Sequence, residues 1–322
     1  MTAGILGTSG IDVSVVGLGC NAFGARIDAE RTQQVVDACF EQGVTFFDTA
    51  DVYGLGQSEE LLGRALGSRR DDVVVATKFG MDLQGLNGDD GGSRGRPEYV
   101  RRACEASLRR LGTDVIDLYQ LHTPDPSTPI EETLGALDDL VREGKVRAIG
   151  CSNFQAWQLV DAHWVSRTRD LASFATAQNE YSLYNRTAEV ELTPACAELG
   201  VGLLPYFPLA YGLLTGKYRR DTPPDEGTRL AEENQRRRYD AADWDTIEAL
   251  QSFADARGIS LLDVAIGGLA AQPQVASVIA GATRPEQIAA NVAAGRWAPS
   301  DADREELDQI GRPRHSYTTF AP

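Results

Sequence analysis

The chain has 322 residues, 42% of them hydrophobic and 24% charged, an ordinary balance for a globular protein with a large core. Its formal net charge of −16 sets it against nucleic-acid phosphates and anionic lipid surfaces, so neither is an expected partner. No apolar run approaches a membrane span, residues 1–10 lack the basic-then-apolar layout of a secretory signal, and Cys20, Cys39, Cys104, Cys151 and Cys196 show neither CxxC nor metal-ligand spacing; the expectation is a cytoplasmic protein with reduced thiols and no metal.

In chain order, residues 5–16 come first, two short alternating runs around a Ser9-Gly10 turn, which predicts a β-hairpin at the bottom of the fold. Strand patterns then occupy 15–19, 44–48, 73–78, 115–122, 146–151, 175–180, 201–206 and 275–280. Helical patterns alternate with them at 29–42, 58–66, 97–111, 129–143, 155–165, 188–199 and 244–271, the last broken near Gly258, with a further one at 285–294. Residues 301–310 read as an extra helix before a polar tail. No linker or internal repeat divides the chain. The alternation predicts the α/β class: a (β/α)8 TIM barrel with an N-terminal β-hairpin and an extra C-terminal helix, one domain over 1–322. Right-handed crossovers would put all strand exits on one face.

Two connections are long: the Gly- and Asp-rich 80–96, and the charged 219–240 with Pro223-Pro224 and Arg236-Arg237-Arg238. Both follow strands, so each is either a mobile cover over the catalytic face or a solvated insertion. Gly17-Leu18-Gly19-Cys20-Asn21-Ala22 fits a dinucleotide fingerprint on paper, and Asp48 ends the next strand as a ribose-binding acid would. The following helix pattern opens only near Asp28, too late for glycines that must lead straight into a helix N-terminus, and eight strands exceed the usual six. The barrel reading therefore stands.

Three neighbouring strand exits carry Asp48 and Tyr53, Lys78, and His122. Singly, a strand-end Asp–Lys pair reads as a structural ion pair and a tyrosine as packing. In this order on successive strands they make an acid–base set. A phenol titrates near 10, and one ammonium about 4 Å away supplies on the order of 4 kcal/mol toward phenolate at an effective dielectric of 20. Lys78 would thus lower the Tyr53 pKa, against desolvation and a partly cancelling Asp48. Further on, Gly281-Ala282-Thr283-Arg284-Pro285-Glu286 opens the last barrel helix. Thr283 and Glu286 fit a capping box, Pro285 suits the first turn, and Gly281 leaves backbone open at an anion-binding helix start.

The segments FFDTADVYG (46–54), ATKFG (76–80), SLRRLGTDVIDLYQLH (107–122), GKVRAIGCSNF (144–154), AQNEYSL (177–183), PYFPLAYGLLTGKY (205–218) and IAGATRPEQIAAN (279–291) together resemble the aldo-keto reductases. The resemblance implies an NADPH (NADP+) cofactor and an NADPH-dependent oxidoreductase that reduces aldehydes or ketones to alcohols. Tyr53 would be the proton donor, Lys78 and Asp48 would tune it, and His122 would orient the carbonyl. Ser152, Asn153 and Gln178 would hold the carboxamide, and Tyr206 would stack on the nicotinamide. Leu209, Gly212, Leu214 and Lys217 would line the pyrophosphate path. Gly281 and Thr283 would meet phosphate, Arg284 would fork onto a 2′-phosphate, and Gln287 and Asn291 would face adenine. Phe23, Phe79, Phe154 and Trp157 are candidates for an apolar pocket around a small-molecule carbonyl substrate. Phe207, Tyr211, Ala280 and Ala290 depart from the residues expected of the family. Two other readings remain: a cofactor-binding, redox-sensing regulatory subunit with little turnover, and a Schiff-base lysine enzyme, for which a Lys78 kept protonated by a carboxylate is poorly suited. The oligomeric state and the physiological substrate are not legible.

Overall fold

Inward and outward side chains alternate along eight short parallel strands, and that alternation decides which residues reach the site. The computed structural model describes residues 4–312. Its strands are β3 (Val16–Gly19), β4 (Phe46–Asp48), β5 (Val74–Phe79), β6 (Ile116–Leu121), β7 (Val146–Ser152), β8 (Thr176–Glu180), β9 (Gly202–Tyr206) and β10 (Val278–Gly281). They pair in the order β10-β3-β4-β5-β6-β7-β8-β9. Leu203 of β9 closes the ring by bridging Val275: its N–H donates to Gln274 O at 2.7 Å, and its carbonyl accepts from Ala276 N at 2.9 Å. The fold is a (β/α)8 barrel. The predicted strand 275–280 is thus divided in use. Its first part pairs with β9, and 278–281 pair with β3 from Val278↔Val16 to Gly281↔Gly19. Ser277 sits between the parts, its hydroxyl donating to Ser14 O at 2.8 Å.

The short hairpin β1 (Gly4–Ile5) and β2 (Asp12–Val13) is antiparallel, as expected. Its Leu6, Ile11 and Val13 pack with Phe46, Val74, Leu118 and Leu204 of the barrel interior, so the hairpin plugs the N-terminal end. Above that apolar layer the interior turns polar. Asp48, Lys78, Gln120 and Gln178 lie on the inward faces of β4, β5, β6 and β8, all buried. Their outward neighbours Phe47, Phe79, Tyr119 and Ala177 belong to the layer between barrel and helices.

The barrel helices are α1 (Ala29–Gln42), α2 (Gln57–Leu66), α3 (Pro97–Leu111), α4 (Ile130–Arg142), α5 (Ala156–Arg169) and α6 (Leu192–Leu199). Beyond β9 come α7 (Glu233–Asp240), α8 (Trp244–Arg257), α9 (Leu261–Ala270), α10 (Pro285–Ala294) and the additional α11 (Asp301–Leu307). Gly258 stops α8 at φ 65°, and the Ser260 side chain caps α9, so the predicted break is a left-handed turn followed by a fresh N-cap. Buried Arg186 ties the end of α11 and the turn after it to the barrel, donating to Leu307 O at 2.7 Å and Ile310 O at 3.1 Å. The polar tail expected after the last helix lies, from residue 313 on, outside the described residues.

Neither long connection is a bare loop. In 80–96, Asn87 and Ser93 are buried, Arg102 donates to the carbonyls of Asn87 and Asp89, and Asp125 accepts from Gly95 N at 2.7 Å and Ser93 Oγ at 2.9 Å. The segment 219–240 folds into a short 3-10 turn, Arg229–Ala231, and α7. Tyr239 secures it, its hydroxyl lying 2.7 Å from both Arg219 O and Thr222 O.

Candidate active site

At the C-terminal ends of the strands, Asp48 and Lys78 meet inside the barrel. Lys78 Nζ donates to Asp48 Oδ2 at 2.7 Å and to Thr49 O at 2.8 Å, and lies 3.4 Å from the Tyr53 hydroxyl. The ammonium is also 4.9 Å from the Tyr53 ring centroid. His122 follows β6 on its inward face, its ring edge-on to Tyr53 with centroids 5.9 Å apart. The four side chains expected from three neighbouring strand exits therefore converge.

Burial sets their charges. It pushes Lys78 down, but the Asp48 carboxylate and Tyr53 outweigh it and hold the ammonium above its ordinary value. It raises the Tyr53 phenol, Lys78 opposing and Asp48 assisting. Lys78 lowers Tyr53 as expected, but the expected net lowering is reversed: desolvation together with the Asp48 charge exceeds the field of the ammonium. Burial, and then Lys78, pushes His122 down to about 3, so its imidazole is neutral.

A cavity of about 690 Å³ opens over this set. Four cations line it: Arg26, Lys217, Arg229 and Arg284. Asp48 is the only lining carboxylate among the described residues, and none of the four cations forms an ion pair, although most arginines elsewhere are paired. In a chain of net charge −16 this is a local reversal of sign. Burial, then Arg26 and Arg238, pushes Arg229 below its ordinary value. Its guanidinium stands 5.4 Å from the Tyr211 ring and 5.8 Å from Phe207, with Arg238 stacked 3.6 Å from Tyr211. Asn153, Phe207 and Tyr211, which line the cavity, all have left-handed φ, between 52° and 60°. For non-glycine residues such strain clusters at functional surfaces.

A model of the Aldo/keto reductase family matches residues 15–312. The chain belongs to that family. Similar proteins include a probable voltage-gated potassium channel subunit beta of Arabidopsis thaliana, 37% identical over 298 residues, which are 90% of this chain and 89% of that one. Probable aldo-keto reductase 1 of Glycine max is 36% identical over 94% of this chain and 86% of its own. An uncharacterized oxidoreductase, YrpG of Bacillus subtilis, is 37% identical over 88% and 87%.

The predicted cofactor residues of this aldo/keto reductase fall into two groups. Ser152, Asn153, Gln178, Tyr206, Leu209 and Gly212 line the cavity, as do Lys217, Gly281, Thr283, Arg284 and Gln287. Leu214 and Asn291 do not: Leu214 is fully buried in the cluster under α8 and α9, and Asn291 lies on the buried face of α10 near Gly17 and Val292. Several lining groups bind one another. Asn153 donates to His122 O at 2.9 Å and accepts from the Tyr206 hydroxyl at 2.8 Å, and Ser152 Oγ donates to Gln178 O at 2.8 Å. The start of α10 is capped by Gln287, not by the expected Thr283–Glu286 box. Gln287 Oε1 accepts from Thr283 N at 2.8 Å and Arg284 N at 3.2 Å.

The aromatic substrate pocket is not formed by the four expected residues. Phe79 follows inward Lys78 and so points outward, stacked on Tyr119 at 4.7 Å. Phe23 and Phe154 are buried in the outer core, Phe154 edge-on to Phe174, and Trp157 on α5 is 63% exposed with its indole N–H on Gln155. Met81, Asn21 and Ala22, which were not among the expected pocket residues, line the cavity, Asn21 beside Gly281. Arg26 and Arg229 also went unpredicted. Residues 219–240 contain Arg219, Arg220, Arg229, Arg236, Arg237 and Arg238, and nothing in their spacing distinguishes the one that faces inward.

Proposed function

We propose that this chain is an NADPH-dependent oxidoreductase that reduces small-molecule aldehydes or ketones to alcohols, with Tyr53 as proton donor. One observation carries the reading: a phenol bonded to a buried Lys78–Asp48 pair, beside a neutral imidazole, on the wall of a cation-lined cavity. The cavity residues fit a nucleotide with several phosphates. The unpaired Lys217 and Arg229 suit a pyrophosphate, Arg284 beside the α10 N-terminus suits a 2′-phosphate, and Gly212 and Gly281 leave backbone accessible. A bound nicotinamide supplies the hydride.

The protein's own groups supply the rest. His122 has a buried Nδ1 without a partner among the described residues. The tautomer with its proton on Nε2 leaves that nitrogen a bare lone pair, not an orphaned donor, and turns an N–H toward the carbonyl oxygen. As the carbonyl carbon gains hydride, its oxygen takes the Tyr53 proton, and Lys78 stabilises the phenolate left behind. Tyr53 then recovers a proton from solvent. A phenol held above its ordinary pKa is fully protonated at neutrality, which favours the reductive direction. The five free, buried cysteines are consistent with a reducing, cytoplasmic setting.

A second reading is supported by the relative named as a potassium channel subunit: a regulatory protein that binds the cofactor but turns over little. Loss of NADPH absorbance with a carbonyl panel led by 4-nitrobenzaldehyde separates the two. Steady turnover abolished in Tyr53→Phe supports the reductase, and tight NADPH binding without turnover of any carbonyl supports the regulatory role.

A further inference from the structure

The Asp48 carboxylate is held on both of its oxygens, and the two sides differ in kind. Oδ2 accepts from Lys78 at 2.7 Å, while Oδ1 accepts from Gln178 Nε2 at 2.8 Å and Gln120 Nε2 at 3.3 Å. Gln178 lines the cavity and Gln120 does not. Gln120 is fully buried on the inward face of β6, one pleat deeper than His122. Beside it on β7 stands Gly150, where an added Cβ would come within 3.2 Å of Gln120 Cγ. The barrel interior thus gives this glutamine room.

Packing does not account for an amide here. The layer beneath is aliphatic and aromatic, with Leu118 at the preceding inward position of the same strand. Gln120 Oε1 has no partner among the described residues, so the side chain carries a desolvation cost that a leucine would avoid. Its one bond goes to a carboxylate, and a carboxylate only accepts, which fixes the amide with its NH₂ toward Asp48. Donors on Oδ1 draw negative charge to the oxygen that does not bond Lys78. Gln178, at the cavity surface, is open to recruitment by whatever binds there. Gln120 is not.

We propose that Gln120 is a positioning residue for the reduction: it fixes the Asp48 carboxylate from beneath and draws its charge away from Tyr53, whether or not the cavity is occupied. This rests on the reading of Tyr53 as proton donor. Gln120→Met removes the NH₂ at matched length. The Tyr53 phenol is titrated in ligand-free protein by NMR of ¹³Cζ-labelled tyrosine, assigned with Tyr53→Phe. In parallel, kcat and KM are followed against pH with NADPH and 4-nitrobenzaldehyde. The expected result is a Tyr53 midpoint raised by about half a unit or more, because the Asp48 charge is less spread. The alkaline limb of kcat should move with it, and KM for NADPH should stay within about twofold. Gln120→Glu gives an independent signature. Protonated, it still donates to Asp48 and behaves as the parent; ionised, it adds charge and drives the Tyr53 midpoint higher, adding a new step to the pH profile. It also carries the test if Gln120→Met does not fold. An unchanged Tyr53 midpoint overturns the proposal even where kcat falls, since lost packing alone would do that. Failure of both variants to fold overturns it too, by making Gln120 a structural residue. A parent protein that binds NADPH but reduces no carbonyl removes the reductase reading, while the NMR titration still decides the role of Gln120.

Discussion

Asp48 and Lys78 form an ion pair at 2.7 Å between adjacent strands, with the lysine side chain fully buried and the aspartate side chain 3% exposed. Two charges so far from water are stable only as a pair, because each alone carries a desolvation penalty that its remaining hydrogen bonds to neutral groups do not offset. Lys78→Met should therefore abolish turnover and destabilise the fold by about 3–5 kcal/mol, since it strands the carboxylate. The double variant Asp48→Asn/Lys78→Met should recover most of the stability and none of the activity. Denaturant unfolding of the three proteins checks this, and a double variant no more stable than the single one would show that the pair is not the cause.

Tyr53 supplies a second prediction. Its hydroxyl is the group removed by Tyr53→Phe, and its ring edge to His122 remains. Cofactor affinity should change by less than about threefold while kcat falls by about 10²–10⁴, the usual span for a lost general acid. The pH dependence follows from the direction of its shift. The folded-state pKa lies above the ordinary value, so the donor is protonated throughout the neutral range, and reduction is lost only as pH rises through that raised pKa. Oxidation of the alcohol needs the phenolate and should climb over the same alkaline range. With His122 pushed down to about 3, no limb from imidazole titration should appear in the neutral range. A rate that tracked an ionisation near 6.5 would contradict this.

Cofactor discrimination is the third. Arg284 lines the cavity at the start of α10 and Arg229 lines it from the 3-10 turn of segment 219–240, neither with an ion pair among the described residues. Arg284→Ala should weaken NADPH by about tenfold or more and leave NADH within about twofold, because a charge-assisted contact to a 2′-phosphate is worth roughly 1.5–3 kcal/mol and NADH has no such phosphate. Arg229→Ala should weaken both alike. Fluorescence titration with each nucleotide tests the pair, and equal losses for both nucleotides in Arg284→Ala would refute 2′-phosphate recognition.

The candidate catalytic set is legible in the sequence because strand exits on one barrel face are few and their chemistry is complementary. Asp48, Lys78 and His122 end adjacent apolar runs, and parallel topology forces them together. The same alternation could have excluded Phe79, since an inward Lys78 leaves its neighbour facing out. Phe154 and Trp157 were harder, lying past the end of β7 where no period applies. The capping error at Thr283 and Glu286 came from a local motif that Gln287, one residue further on, fulfils instead. Arg229 was hidden for a different reason. Its orientation depends on Phe207 and Tyr211 across a tertiary contact, which no local spacing encodes.

Asp51 gives the last prediction, and it concerns stability alone. The residue lies two positions before Tyr53 with its carboxyl fully buried. Asn87 Nδ2 reaches one oxygen at 3.4 Å and the other has no partner among the described residues. Burial raises its pKa well above the ordinary value, and the Glu59 carboxylate adds to this, while Arg110, engaged with Glu59 at 2.6 Å, opposes it incompletely. In the unfolded chain an aspartate ionises near 3.9. Between that pH and the raised folded value the native state binds the extra proton, so ionisation of the unfolded chain draws the equilibrium away from the fold as pH rises. Asp51→Asn keeps the shape and an acceptor for Asn87 but removes the proton from the balance. The variant should match the parent near pH 4 and exceed it at pH 8 by about 1 kcal/mol or more, roughly 1.5 °C or more in Tm for a domain of this size. Backbone Asp51 N–H to Lys78 O at 3.1 Å is untouched, so turnover should stay near that of the parent. Thermal melts at the two pH values decide it: a gain of equal size at both would point to packing, and a loss at pH 8 would mean that Asp51 is ionised and paired in the native protein.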